Sequence, residues 1–346
     1  MKAIAQRREG VTADALLDRV LCHDVRDAAG RVAAPKGARV DAAVAQTLLG
    51  IPWDEIHLLA LEPGDVHEED AGRRLAAAVV GDGVAVRGYT GGQWTLGATR
   101  RGLLRIRTAA LTEVNAQEGM SVFTLFDGQP VELCEAVAKA KVTPLAIAET
   151  TVRAVETVAA SVGGVILVAG FRPATVGAVA RESLDARQRA RFDSALRQKI
   201  DWLGGRLLDV RFAGGSDRAV ADELRGLRKA GADVLIVAGA SALDPLDPVF
   251  GGLTLLGATM ERHGVPAHPG SLLWLARWDG FPVLGMPTCG MFSQATTFDL
   301  VLPRILAGEF MGNRDLAALG HGGLLSREMA YRFPPYRANA ARGELE

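Results

Sequence analysis

The chain has 346 residues, 49% of them hydrophobic, enough to bury more than one core. Its 39 lysines and arginines are balanced by 40 aspartates and glutamates, a formal net charge of -1, which excludes the global basic field that recruits nucleic acid and leaves a small molecule or another protein as the partner. Cys22, Cys134 and Cys289 lack metal-ligand spacing and are odd in number, the opening M-K-A-I-A-Q-R-R-E-G has no apolar core of signal-peptide length, and the uncharged run from Thr157 to Phe171 is too short for a bilayer; a cytoplasmic location without membrane is expected.

Residues 1–155 read as a mixed α+β region. The spacing of Leu16, Leu17 and Val20 predicts a helix over Asp14 to Leu21, followed by an extended piece at Val32 to Ala34. Asp41 is placed to cap a helix with Val44, Leu48 and Leu49 on one face, closed by Gly50, and Glu55 to Leu61 reads as a strand. Asp65 to Glu69 opens a further helix with Leu75, Val79 and Val80 inward; the acidic cluster there reads as a solvated first turn rather than a metal site. From Gly83 to Val131 short apolar runs broken by glycine predict strands, with a tight connection at Tyr89-Thr90-Gly91-Gly92 and a hairpin at Asp127-Gly128. Arg100, Arg101, Arg105 and Arg107, near Lys139 and Lys141 in sequence, form a basic strip able to receive an anionic group, and Glu132 to Glu156 reads as largely helical with a break at Pro144.

Residues 156–310 read as an α/β domain, with 311–346 as an extension. Val165 to Ala169, Leu207 to Phe212 and Val234 to Ala238 predict strands; Ser183 to Leu203, Ser216 to Lys229 and Pro248 to His263 predict the intervening helices. Leu272 to Trp278 and Phe281 to Gly285 follow as strands, then a helix over Gln294 to Leu306. This alternation implies a three-layer α/β/α fold whose mostly parallel sheet is covered on both faces and binds ligands beyond the strand carboxyl ends. Gly251, Gly252 and Gly257 lie inside one expected helix, each costing about 1 kcal/mol relative to alanine, so a close approach of ligand or backbone is expected there.

The run V-L-I-V-A-G-A-S-A-L-D-P-L-D from Val234 to Asp247 has the order strand, small-residue turn and helix N-terminus, with Asp247 and Pro248 as N-cap and first helical residue. Such a turn directs backbone N–H groups into a cleft suited to a phosphate. A second glycine-rich turn, Met286-Pro287-Thr288-Cys289-Gly290, also follows a strand, so the two could face one cleft.

Val165 to Glu309 resembles the molybdopterin-binding domain shared by molybdopterin adenylyltransferases, gephyrin-type molybdenum insertases and competence-damage-inducible proteins. Gly239-Ala240-Ser241-Ala242 with Asp247 beyond it is similar to that family's Gly-Gly-x-Gly turn and Asp, Pro269-Gly270 to its Pro-Gly, and Gly285 to Cys289 to its Leu-Pro-Gly-Asn-Pro turn. The resemblance implies that molybdopterin, or the molybdenum cofactor, is held by Gly239, Ala240, Ser241, Ala242, Asp244, Asp247, Pro269, Gly270, Pro287 and Thr288, with Mg²⁺ at Asp247. It also implies cofactor biosynthesis or handover, with a molybdoenzyme or another cofactor-biosynthesis protein as partner and a homo-oligomeric state. Ala240 and Ala242 replace glycines, and Thr288-Cys289 replaces Gly-Asn, which favours binding over chemistry. The alternative is an active adenylyltransferase or insertase in which Asp247 is catalytic.

Overall fold

The computed structural model describes residues 1–181, 184–239, 243–292 and 295–336. The chain forms two compact units: one comprises Met1–Thr99, Ile106–Leu125 and Leu133–Leu167, the other Arg100–Arg105, Phe126–Glu132 and the chain from Val168 onward. The N-terminal region, expected as one block over 1–155, thus gives two short segments to the second unit.

In the first unit, Lys2–Arg7 and Arg19–Leu21 flank Glu55–Ala60 in an antiparallel sheet. The helix expected over 14–21 stops at Leu16; Asp18 then takes a φ of 58°, and Val20 and Leu21 are buried as a strand, because two helical turns are too weak alone to resist strand pairing. Asp41 caps Ala42–Gly50 as expected, accepting from the Val44 N–H at 2.8 Å. The acidic stretch divides: Asp65–His67 is a strand, and the helix begins at Glu68.

A second, four-stranded antiparallel sheet has the order Met120–Thr124, Ala136–Val142, Gln93–Ala98, Val84–Thr90. The last two are joined by Gly91 and Gly92 at φ 59° and 75°, the pair of left-handed residues a tight hairpin needs. The helix expected across 132–156 is corrected in its first half, which is strand: Ala138, Ala140 and Val142 are buried while Lys139 is exposed, so period-two burial outweighs the helix propensity of alanine and lysine. Thr108–Asn115, within the stretch read as β, is a helix. Asp127-Gly128 is a turn but closes no hairpin, since Met120–Thr124 pairs with Ala136–Val142 and Pro130–Val131 with Gly102–Ile106.

Two helices of this unit, Glu68–Val79 and Glu149–Ser161, are joined by Arg74, whose guanidinium meets Glu149 at 2.5 Å and Glu156 at 2.8 Å. Hydrogen bonds from Arg74 and then Arg153 hold the Glu149 carboxyl at about 2, below its ordinary 4.5. A depressed carboxyl contributes stability that is complete above about 4.5 and lost as pH falls toward 2. Arg74→Met should therefore flatten the acid loss of stability across that window, measured as urea midpoints against pH; parallel curves for variant and wild type would contradict it.

The second unit is a three-layer α/β/α domain. Its main elements are β1 (Thr175–Ala180), α1 (Ala186–Trp202), β2 (Arg206–Phe212), α2 (Asp217–Lys229), β3 (Val234–Ala238), α3 (Pro248–Leu255), β4 (Thr259–His263), β5 (Trp274–Trp278), β6 (Phe281–Met286), α4 (Thr288–Phe292) and α5 (Thr297–Leu306). The sheet order is β2-β1-β3-β6-β5-β4; the first four strands run parallel, β5 pairs antiparallel with β6 and β4 antiparallel with β5, so β5 alone runs against the rest. Phe192, Leu196 and Ile200 of α1 and Phe298, Val301 and Leu302 of α5 cover one face through Val176, Ala178, Ile236 and Leu284. Val220, Leu224 and Leu227 of α2 and Val249 and Leu253 of α3 cover the other through Val179, Leu235, Val237 and Val283. Strands buried on both faces need continuous apolar runs, which V-L-I-V-A supplies.

Three expectations are corrected here. The strand at 165–169 exists, as Ile166–Gly170, but lies outside this sheet; the first strand of the sheet is β1, T-V-G-A-V-A, whose small residues hide it. Gly177 within it admits Leu227 of α2, whose Cβ would stand 3.1 Å from any added Cβ. The helix expected through His263 ends at Leu255, because Gly257, at φ 71°, closes it and β4 follows. Gly251 and Gly252 meet α2 rather than a ligand: a Cβ on Gly251 would strike the Asp217 carboxylate, and one on Gly252 would lie 3.0 Å from the Asp217 carbonyl.

Candidate functional site

From β1 the chain passes through α1 to β2 on one side and then through α2 to β3 on the other, so the strand order reverses between β1 and β3. In doubly wound sheets the crevice at such a reversal, beyond the carboxyl ends, is where ligands sit. The first residues past the strands remain in the ladder: Arg181 N–H donates to the Ala238 carbonyl at 2.9 Å and Gly239 N–H to the Met286 carbonyl at 3.0 Å. Ala238 lies opposite Met286 in register, so the turns beginning at Gly239 and Pro287 leave the sheet side by side. Gly239, at φ 80°, has a backbone that side chains rarely tolerate.

Ala240, Ser241 and Ala242 lie outside the described residues. Asp244 is exposed; its carboxylate accepts from Leu246 N–H at 2.9 Å and its carbonyl from Asp247 N–H at 3.1 Å, closing the loop that leads into α3. Asp247 is the N-cap expected, Oδ1 accepting from Val249 N–H at 2.9 Å with Pro248 at the first helical position. The Pro269 carbonyl accepts from Thr297 N–H at 2.9 Å, and Gly270, at φ 106°, packs so tightly that an added Cβ would stand 3.0 Å from Thr297 Oγ1. Pro269-Gly270 is thus fixed to the start of α5. The Pro287 carbonyl accepts from Gly290 N–H at 2.8 Å, and Thr288 opens the short α4.

Sequence reasoning missed Arg181, which follows β1 directly. Its Nη1 donates to the Gly214 carbonyl on the β2–α2 loop at 2.9 Å, and its Nε lies 3.8 Å from Asp247 Oδ1, with side-chain exposures of 15% and 17%. The only local signal near it is the helix cap at Asp185, since T-V-G-A-V-A does not declare itself a strand. The basic strip expected over 100–107 is not available to an outside anion in this form. Arg101 pairs with Glu132 at 2.9 Å, Arg105 with Glu309 at 3.2 Å and Asp127 at 3.4 Å, and Arg107 donates to the Gly164 carbonyl at 2.8 Å.

Behind the Pro287 turn is a second feature missed from sequence. Lys199 of α1 meets Asp299 of α5 at 2.6 Å with both side chains buried, and Asp299 Oδ2 accepts from Thr296 N–H at 3.0 Å and Thr296 O–H at 2.9 Å. Burial pushes the Asp299 carboxyl up against the opposing pull of Lys199. Tyr336, hydrogen-bonded to Asp299, is raised well above the ordinary phenol value, first by burial and then by that carboxylate.

Among the described residues no helix is long and apolar enough to cross a membrane. No protein-family model matches the chain, and no curated protein matches it. Among solved structures it is similar to the molybdopterin biosynthesis moea protein from Pyrococcus horikosii, at 15% identity and a TM-score of 0.31, covering 72% of this chain and 80% of that one. It is also similar to MogA, at 17% identity and a TM-score of 0.23, covering 35% of this chain and 86% of that one. The α/β/α architecture itself rests on the strand order and the two covered faces of the sheet.

Proposed function

We propose that the chain binds molybdopterin, or the molybdenum cofactor made from it, beyond the carboxyl ends of β1, β3 and β6, and serves cofactor biosynthesis or handover to a molybdoenzyme or another biosynthesis protein. The observation that supports this reading is the adjacency of the strand ends that lead into the two turns resembling the molybdopterin-binding family: Gly239 N–H is bonded to the Met286 carbonyl. The N-terminus of α3 and the guanidinium of Arg181 supply positive potential there for a phosphate ester. Binding is preferred over adenylyl or molybdenum transfer because among the described residues no group of three His, Cys, Asp or Glu side chains is placed to hold the metal such transfer needs. The direct test is to purify the protein anaerobically, oxidise it and measure pterin fluorescence in the released material. Pterin at a substantial fraction of the protein concentration is expected; none above an unrelated control protein would sink the proposal, and Mg²⁺-dependent pyrophosphate release from ATP and molybdopterin would favour the transferase.

Asp247 has a structural duty that can be measured apart from binding. Asp247→Ala should cost about 1 kcal/mol, whereas Asp247→Asn should keep most of that, because the amide oxygen also accepts from Val249 N–H. Melting temperatures of the two variants check this, and equal losses would show that charge rather than capping matters.

A further inference from the structure

We propose that Arg181 is the resident cation of this crevice and that the chain holds its phosphate-ester ligand without a divalent metal. The inference rests on the preceding reading in taking the ligand to be a phosphate ester, but it concerns how the anion is held. Mg²⁺ demands near-octahedral oxygen ligands, usually with one or two carboxylates directly bound. The donors present do not fit it. Asp247 Oδ1 caps α3 through Val249 N–H and faces the Arg181 guanidinium at 3.8 Å, so a dication on this carboxylate would be crowded against a fixed positive charge. Asp244 is turned into its own loop, bonded to Leu246 N–H. Among the described residues no group of three His, Cys, Asp or Glu side chains is placed to hold a metal.

Arg181, by contrast, is built as an anion receptor with a donor to spare. Its backbone is anchored to β3 through the Ala238 carbonyl, and one arm of its guanidinium is anchored to the Gly214 carbonyl at 2.9 Å. Among the described residues its buried Nε has no hydrogen-bond acceptor, because 3.8 Å to Asp247 is an ionic contact too long for a hydrogen bond. A buried donor left unmet is costly, and the planar fork of arginine is suited to two oxygens of one phosphate. The position lies where the strand order reverses, between β1 and β3.

The test is a thermal-shift titration of the whole protein with inorganic phosphate, once in EDTA and once in excess Mg²⁺. Phosphate should raise the melting temperature in both, with apparent affinities within about twofold of each other, and Arg181→Met should weaken binding at least tenfold, about 1.4 kcal/mol. Protection that needs Mg²⁺, protection absent in both conditions, or undiminished protection in Arg181→Met would overturn the proposal. Should Arg181→Met fail to fold by circular dichroism, Arg181→Gln keeps a polar side chain and loses the charge, and an unweakened affinity there would overturn it equally. Pterin content separates the two readings. Metal-independent phosphate binding without pterin leaves this inference standing and ends the molybdopterin reading, while pterin that EDTA strips away does the reverse.

Discussion

Asp299→Ala should destabilise the protein by about 3–5 kcal/mol, the usual cost of removing one member of a buried ion pair and leaving the other charge uncompensated. Lys199 and Asp299 are 2.6 Å apart with side-chain exposures of 6% and 1%, and the carboxylate also accepts both Thr296 donors, so its loss strands an ammonium and the cap of α5 together. Lys199→Met alone should cost a comparable amount. The double variant Lys199→Met, Asp299→Leu should recover much of it, because an apolar pair of similar volume has no charge to desolvate. Denaturant unfolding of these variants, with Asp299→Leu alone added to close the cycle, measures the coupling, and single losses below about 1 kcal/mol would mean that the pair is solvated.

Gly285→Val should be nearly as damaging. Gly285 of β6 lies directly opposite Trp274 of β5, and a Cβ at this position would fall within the indole ring. Trp274 is fully buried and packs edge-on against Phe250 at 5.7 Å, so the ring has no free volume to enter. Overpacking at such a place costs about 3 kcal/mol, the upper end of the usual range, with alanine giving a smaller loss of the same sign. The near-ultraviolet circular dichroism of the tryptophan should change with it. Because Met286 and Pro287 follow immediately, phosphate affinity should fall as well. A valine variant as stable as the wild type would show that β5 and β6 separate more easily than this packing allows.

What could be read from the residues was what depends on neighbours in sequence. V-L-I-V-A declares a doubly buried strand and Asp247-Pro248 a helix start, because each is settled within a few residues. β1 could not be read, since T-V-G-A-V-A is a strand only because β2 and β3 pair with it on either side. Arg181 was hidden with it, its role depending on a carbonyl at Gly214 and a carboxylate at Asp247 that only the fold assembles. The stretch 136–142 misled for a related reason: alanine and lysine favour helices in isolation, and only burial of alternate residues reveals the sheet. At Gly251 and Gly252 the expectation of a close approach was sound and the partner was not legible, because it is the start of α2.

The two short segments lent to the second unit bear on how the chain is made. Arg100–Arg105 and Phe126–Glu132 are flanked on both sides by residues of the first unit, so the backbone crosses the division five times. A ribosome releases both segments well before β1, β3 or β6 exists, and they must wait for the domain that takes them in. Arg101 shows the dependence, its guanidinium 5.0 Å from the centre of the Trp202 ring and donating to the Trp202 carbonyl at 3.3 Å. Contacts closed over such long stretches slow folding, and the second unit cannot be completed from the chain after Leu167 alone, whereas the first has all its residues once Leu167 is made. A fragment begun at Val168 would lack both segments and leave Trp202 without its arginine, so the second unit is finished only with chain that was made in the midst of the first.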